Sequence, residues 1–266
     1  MTAKALLKMG TPFRIVIEPQ EFAAYSAVLD PKIILQLPFS NLGKGSIPAR
    51  NWVWQHSIDE GHARHWIMDD NIQTFYRFNK NSIVQVSDGT IFHVMEHFAD
   101  RYQNMPMCGP NYEMFVMRRN AKIPPYTANT RIYSCILLSN EPDHHIKWRG
   151  RYNEDTDLSL RFLKAGHCTA LFNAFLSKKT ATMVMKGGNT DQLYQQDEKF
   201  DGRLEMARSL QRQHPDVTTV TRKWGRWQHH VDYRPFKGNL LLRRPDVEVA
   251  EGVQNFGMRK AKRKQG

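Results

Sequence analysis

Asp69-Asp70-Asn71 directly follows the short apolar run Trp66-Ile67-Met68. Two adjacent carboxylates at the carboxyl end of a buried strand repel each other, and burial disfavours ionising either one. A divalent cation removes both penalties. Hard oxygen ligands suit Mg²⁺ or Mn²⁺, usually shared with the phosphates of a ligand. Open α/β sheets also bind ligands at the carboxyl ends of their strands. The pair is therefore a candidate metal–diphosphate site, with Asp70 and Asp69 as ligands. The alternative is a solvated Asp-Asp-Asn turn.

The preceding segment adds groups suited to phosphate. Ser46 is a good N-cap, and Pro48 is tolerated in a first helical turn. Ala49, Trp52, Val53 and His56 recur at helical spacing, and Gly61 is a stop. Arg50 and Asn51 then fall near the positive end of a helix, where a phosphate or a nucleoside edge can be met. Gly43-Lys44-Gly45 places a cation on a glycine loop just before it. Lys44, Arg50, Asn51 and Asp69 are the candidate nucleotide-binding residues of this segment.

Glycine loop, Ala-Arg-Asn helix, strand and Asp-Asp-Asn, in this order, resemble the nucleotide-sugar core of GT-A glycosyltransferases. Asn153-Glu154-Asp155-Thr156-Asp157, followed by Ala165-Gly166, resembles the acceptor-side Glu-Asp segment of that fold. Together with Lys186-Gly187-Gly188-Asn189, the wording of Ala49–Asn71 is most similar to the TET-associated glycosyltransferases, a largely phage-borne family. The resemblance spans residues 13–240. It implies transfer of a sugar from a nucleotide-diphosphate sugar, UDP-linked by expectation, to a 5-hydroxymethylpyrimidine in DNA. It also implies a carboxylate at a helix start as the catalytic base. Asp155 is the preferred base, with Glu154 and Asp157 as competitors; without the resemblance, all three simply favour a helix start. At that position the helix dipole is expected to lower the pKa of Asp155.

The same resemblance lets His229 or His230 complete the metal site. Arg226, in Arg222-Lys223-Trp224-Gly225-Arg226-Trp227, is a candidate for the diphosphate, while the aromatics of that segment suit stacking on an exposed base. Gly187, Gly188 and Asn189 suit a loop that approaches a ligand closely. The related fold normally opens with a strand that supplies nucleotide contacts, and this sequence is expected to begin in the helix after it. Glu18, at a strand end, is the local candidate to replace those contacts.

Composition narrows the function classes. Hydrophobic residues are 41% of the chain, which excludes a disordered chain. No apolar run reaches membrane-spanning length and no signal peptide is visible. Cys108, Cys135 and Cys168 are dispersed without a CxxC pair, which suits reduced core residues in a cytoplasmic compartment, the host's for a phage protein. His62-x-x-His65 and His144-His145 lack a third close ligand for zinc. The net charge of +12 attracts polyanions, and Arg259–Lys264 forms a basic tail suited to phosphates.

The chain is expected to form a GT-A-like, Rossmann-like α/β domain over residues 1–240, with a basic tail over 241–266. Alternating strands (15–17, 33–35) and helices (3–9, 21–29) argue a mixed, mainly parallel sheet flanked by helices. Further strands are expected at 74–78, 82–86, 114–117, 131–138 and 171–175, and helices at 92–102, 155–164 and 203–213. The final third carries weak strand signals and is expected to be less regular. Two rivals use the same residues: a DNA-binding module with a degenerate sugar site, and a metal-dependent nuclease. The first has no need to pair Asp69-Asp70 with Asp155, and the second has no use for the Ala-Arg-Asn helix.

Overall fold

A computed structural model describes residues 1–40, 42, 45–79, 81–116, 123–180 and 201–248. Lys44, Gly187, Gly188, Asn189 and residues 249–266 of the basic tail lie outside the described residues, whereas the start of the expected tail packs on the domain: the Leu242 carbonyl accepts from the Gln103 amide at 2.8 Å and the Arg244 amide donates to the Arg101 carbonyl at 2.8 Å. The elements in chain order are α1 (Thr2–Lys8), β1 (Ile15–Ile17), α2 (Phe22–Ser26), β2 (Ile34–Gln36), α3 (Ile47–Asp59), β3 (Arg64–Met68), β4 (Ile72–Asn79) and β5 (Ser82–Gln85). They continue with α4 (Thr90–Ala99), β6 (Met107–Tyr112), β7 (Tyr126–Ala128), β8 (Cys135–Ser139), α5 (Glu154–Lys164), β9 (Thr169–Lys179), α6 (Gly202–Gln213), β10 (Thr218–Lys223) and β11 (Arg226–Val231).

The central sheet has seven strands in the order β3-β8-β6-β9-β4-β5, with β7 also on β9. Its side chains alternate between two cores, as the two-residue period of a strand requires. On β8, Cys135 and Leu137 join the core beneath α1 and α4, whereas Ile136 and Leu138 join the core with Trp54 of α3 and Leu158 and Phe162 of α5. On β3, Trp66 and Met68 face the first core and Ile67 the second. Helices thus cover both faces of the sheet. Asp69 has the parity of Ile67, which directs it to the α3/α5 side.

The mainly parallel sheet expected from the sequence is corrected. Among the described residues of the central sheet only β6 and β9 pair parallel; β3–β8, β8–β6, β9–β4, β4–β5 and β7–β9 are antiparallel. Strands β1 and β2 do pair parallel, in a separate two-stranded sheet. Strand–helix alternation constrains how successive strands connect but does not fix which strands become neighbours. Here β8 is inserted antiparallel between β3 and β6.

Two other expectations change. The strand expected at 114–117 is a short 3₁₀ turn, Glu113–Phe115, with Met117 outside the described residues. The strand itself lies just before it, at β6, disguised by Gly109 and Pro110, residues that normally weaken a strand. Gly109 is required there: an added Cβ would come within 2.2 Å of the Cys135 carbonyl oxygen. Pro110 adjoins a shift of register against β9. The C-terminal third is more regular than expected, because β10 and β11 form an antiparallel hairpin in register from Thr218↔Val231 to Lys223↔Arg226. Its half-exposed, polar strands hid the alternation.

Candidate active site

The turn Asp69-Asp70-Asn71 is fixed from outside the sheet. The Thr2 hydroxyl donates to the Asp69 carbonyl at 2.5 Å and accepts from the Ile72 amide at 2.9 Å. The Thr2 amide donates to the Asp70 carbonyl at 3.0 Å. The start of α1 therefore clamps this turn, while the Asp69 amide donates to Ser134 at 2.7 Å.

The Asp69 carboxylate lies between two cations. Arg50 of α3 donates to one oxygen at 3.1 Å, and Lys179 at the end of β9 to the other at 2.6 Å. Lys179 also donates to the Ser134 hydroxyl at 2.9 Å, and that hydroxyl lies 2.5 Å from the Tyr112 hydroxyl. Burial alone would raise the Asp69 pKa, but Arg50 and Lys179 outweigh it and hold the carboxyl below its ordinary value. Protein cations therefore relieve the charge penalty that the sequence assigned to a metal. Asp70 is exposed, and its side chain has no partner among the described residues. That leaves its hard oxygens available to a cation shared with a phosphate ligand.

Arg50 is itself aimed by packing. Its guanidinium stands 4.8 Å from the Trp148 ring centroid. Asn51 holds Trp148 by both polar atoms, accepting from its amide at 2.8 Å and donating to its carbonyl at 3.0 Å. Asn51, expected to meet a nucleotide, instead positions the ring beneath Arg50. Ser46 makes no side-chain capping bond, and its hydroxyl accepts from Arg50 Nε at 3.3 Å. The buried residues of α3 are Trp54 and Ser57, while Ala49, Trp52, Val53 and His56, which share a helical face by spacing, are half-buried.

The carboxylates of the first turn of α5 meet this cluster. Glu154 lies 3.6 Å from Arg50. Burial, Glu154 and Asp69 push the Asp155 pKa up to about 6, against the opposing pull of Arg50 and Arg131. The lowering expected from the helix dipole is thus overruled by burial and neighbouring carboxylates. A carboxylate titrating near 6 is ionised at neutral pH yet basic enough to accept a proton. Asp157 belongs to a different network on α5. Its buried carboxylate is held by Arg149 at 3.0 Å, His214 Nε2 at 2.8 Å and Arg161 at 3.6 Å. Burial would raise its pKa, but those partners hold it low. Asp157 therefore ties α5 to the residue that follows α6.

The remaining candidates disperse. Glu18 caps the 3₁₀ turn Pro19–Glu21 and accepts from Gln20 at 2.5 Å. His229 is half-buried, its pKa pushed down to about 4 by burial, Arg131 and His230. His230, one residue along β11, points to the other face of the hairpin and is exposed. Arg226 is exposed at the hairpin tip, opposite Lys223. Among the described residues, no three His, Cys, Asp or Glu side chains converge as a metal-binding group. The sequence offered no signal for Lys179, Ser134, Arg131 or Thr2. Lys179 ends a long strand, and Ser134 matters through a left-handed backbone (φ 62°) that no local pattern announces.

The model of the TET-associated glycosyltransferases matches residues 1–188. The chain belongs to this family. No curated protein and no solved structure matches the chain. The glycosyltransferase match starts at α1, so it includes the Thr2 clamp ahead of the segment where the sequence resemblance begins. It contains Arg50, Asp69, Asp155 and Lys179, whereas the β10–β11 hairpin lies beyond it. Among the described residues no helix is long and apolar enough to cross a membrane.

Proposed function

We propose that this glycosyltransferase moves a sugar from a nucleotide-diphosphate sugar, UDP-linked by preference, to the hydroxyl of 5-hydroxymethylcytosine or a related hydroxymethylpyrimidine in DNA. One observation carries the reading: a carboxylate with a base-like pKa, Asp155, shares a cluster with the phosphate-suited cation Arg50. A pure binding module needs no such pairing.

In this reading Arg50 and Lys179 face the donor's diphosphate, and Asp69 keeps both cations in place. Asp70 would hold Mn²⁺ or Mg²⁺ shared with the diphosphate, an ion that supplies neutralisation of charge on the departing group. Asp155 accepts the proton of the hydroxymethyl group as its oxygen attacks the anomeric carbon, and the nucleoside diphosphate leaves from the opposite side. Single displacement inverts the anomeric centre. Glu154 keeps the Asp155 pKa high and braces Arg50. The base must leave the stack for its hydroxyl to reach Asp155.

Nucleoside mass spectrometry tests the reading after the protein is incubated with sugar nucleotides, hydroxymethylated DNA and Mn²⁺. A hexose mass on the modified nucleoside is expected. Unaltered nucleosides with intact DNA binding favour the degenerate binding module, and strand scission favours the nuclease.

Arg50 supplies a second measurement. Arg50→Ala is expected to weaken binding of the free nucleoside diphosphate by about tenfold or more, the scale of a lost hydrogen bond to a charged group. DNA affinity should change much less. Calorimetry on a variant checked by thermal melting decides it, and unchanged diphosphate affinity would leave Arg50 a purely structural partner of Asp69.

A further inference from the structure

The β10–β11 hairpin ends in an unusual turn. Trp224 and Gly225 both have left-handed backbones, at φ 50° and φ 72°. A two-residue hairpin turn of this kind favours Asn-Gly, and a bulky residue in the first position is strained. The Trp224 ring nevertheless stands in solvent, 88% exposed. Beneath it, Lys223 and Arg226 are directly opposed across the two strands, a like-charge pair that destabilises a hairpin. On the other face, the Arg222 guanidinium lies 5.7 Å from the Trp227 ring centroid. Local stability therefore argues against this tip on two counts, and an anionic, stacking partner would relieve both.

The hairpin packs on α6, and its root reaches α5 through one apolar cluster. Val231 and Tyr233 pack against the cluster of Leu160, Leu163, Val217 and Phe236, whose two leucines lie on α5, the helix whose first turn carries Asp155. His229 lies near Arg131, and Tyr233 lies close enough to Asp155 to feel its charge. From His229 to Arg226 the strand extends about 10 Å at ~3.3 Å per residue.

We propose that this tip is a DNA wedge: Trp224 enters the base stack beside the modified nucleotide, while Lys223 and Arg226 grip the flanking phosphates. The inference rests on the DNA-directed reading above. It moves Arg226 from the donor diphosphate to the acceptor strand. An inserted aromatic would fill the gap left when the target base leaves the duplex, as apolar wedges do between unstacked base steps. Charge and aromaticity alone also suit an anionic membrane surface; a hairpin root that leads to Tyr233, on the α5 cluster and near Asp155, favours DNA.

The test measures binding to a hydroxymethylated duplex without sugar nucleotide, so the outcome is readable even where transfer fails. A 2-aminopurine beside the modified base reports unstacking. Trp224→Asn removes the ring but suits the left-handed turn. It is expected to keep or raise the melting temperature, to lower duplex affinity about tenfold, and to abolish the 2-aminopurine rise. Trp224→Phe should retain most of both signals. Replacing both Lys223 and Arg226 by Ala should flatten the log–log salt dependence by about 0.9 per lost phosphate contact. Unchanged affinity and fluorescence in Trp224→Asn would overturn the wedge. So would a Trp224-dependent gain on anionic vesicles, or on duplex RNA, that exceeds the gain on DNA.

Discussion

Asp155→Asn is expected to lower the rate of sugar transfer by on the order of 10²–10⁴, the usual contribution of a positioned general base. Sugar-nucleotide affinity should stay close to that of the unaltered protein, because Arg50 and Lys179, the cations proposed to face the donor, are untouched. In the unaltered enzyme the rate should fall about tenfold per pH unit below about 6, where Asp155 takes up its proton. Stability should move the other way. The folded-state pKa of about 6 lies above the ordinary value of 3.8, so the native state binds this proton more tightly than the unfolded chain. The stabilising contribution is complete below pH ~4 and is lost as pH rises through about 6. An amide carries no charge to bury, so Asp155→Asn should melt higher than the unaltered protein at pH 7.5, and the difference should vanish below pH ~4. Melting curves and single-turnover rates across pH 4–8 measure both. A variant of Glu154 with the rate defect, beside an active Asp155→Asn, would move the base to Glu154.

Much of the local structure was legible because the signals were local. Trp66-Ile67-Met68 before two aspartates marks β3 and its exit, and Asn153 through Gly166 marks α5. Pairing was not legible. The insertion of β8 between β3 and β6 depends on long-range choices that no stretch of sequence displays, and β6 hides behind Gly109 and Pro110. The candidate site divides the same way. Order and charge singled out Arg50 and Asp69, the family resemblance singled out Glu154 and Asp155, and the structure brings the four into one cluster. Lys179 was not, because it reaches Asp69 only through sheet assembly, 110 positions along the chain. Asn51 and Asp157 had the right chemistry but were drawn into internal hydrogen bonds, one to the Trp148 backbone and the other to Arg149 and His214. A polar residue near a helix start looks the same in sequence whether it faces a ligand or a neighbouring segment.

The two adjacent aspartates should separate cleanly on substitution, although the sequence presents them as a pair. Asp69→Ala leaves Arg50 and Lys179, 13% and 17% exposed, without their shared carboxylate. Removing one member of a fully buried pair typically costs ~3–5 kcal/mol. Asp69 is 24% exposed and Arg50 keeps Glu154, so about 2 kcal/mol is expected, scaled down from that range. At ~2–4 °C per kcal/mol for a chain of this size, the melting temperature should fall by several degrees. Linkage gives this loss a pH signature opposite to that of Asp155. The folded-state pKa of Asp69 is held low, so its contribution is present above the unfolded pKa of ~3.9 and is lost as pH falls through the folded value. Asp69→Ala should therefore be most damaging at neutral pH and least in acid. Asp70→Ala removes an exposed carboxylate and should change stability by less than ~0.5 kcal/mol. Its effect should fall on chemistry: most transfer is lost, and in the unaltered enzyme EDTA reproduces the loss while added Mn²⁺ reverses it. Melting curves of both variants, with transfer assayed in Mn²⁺ and in EDTA, resolve the two roles. Full transfer by Asp70→Ala in the presence of chelator would remove the metal from the mechanism and leave neutralisation of the diphosphate to Arg50 and Lys179.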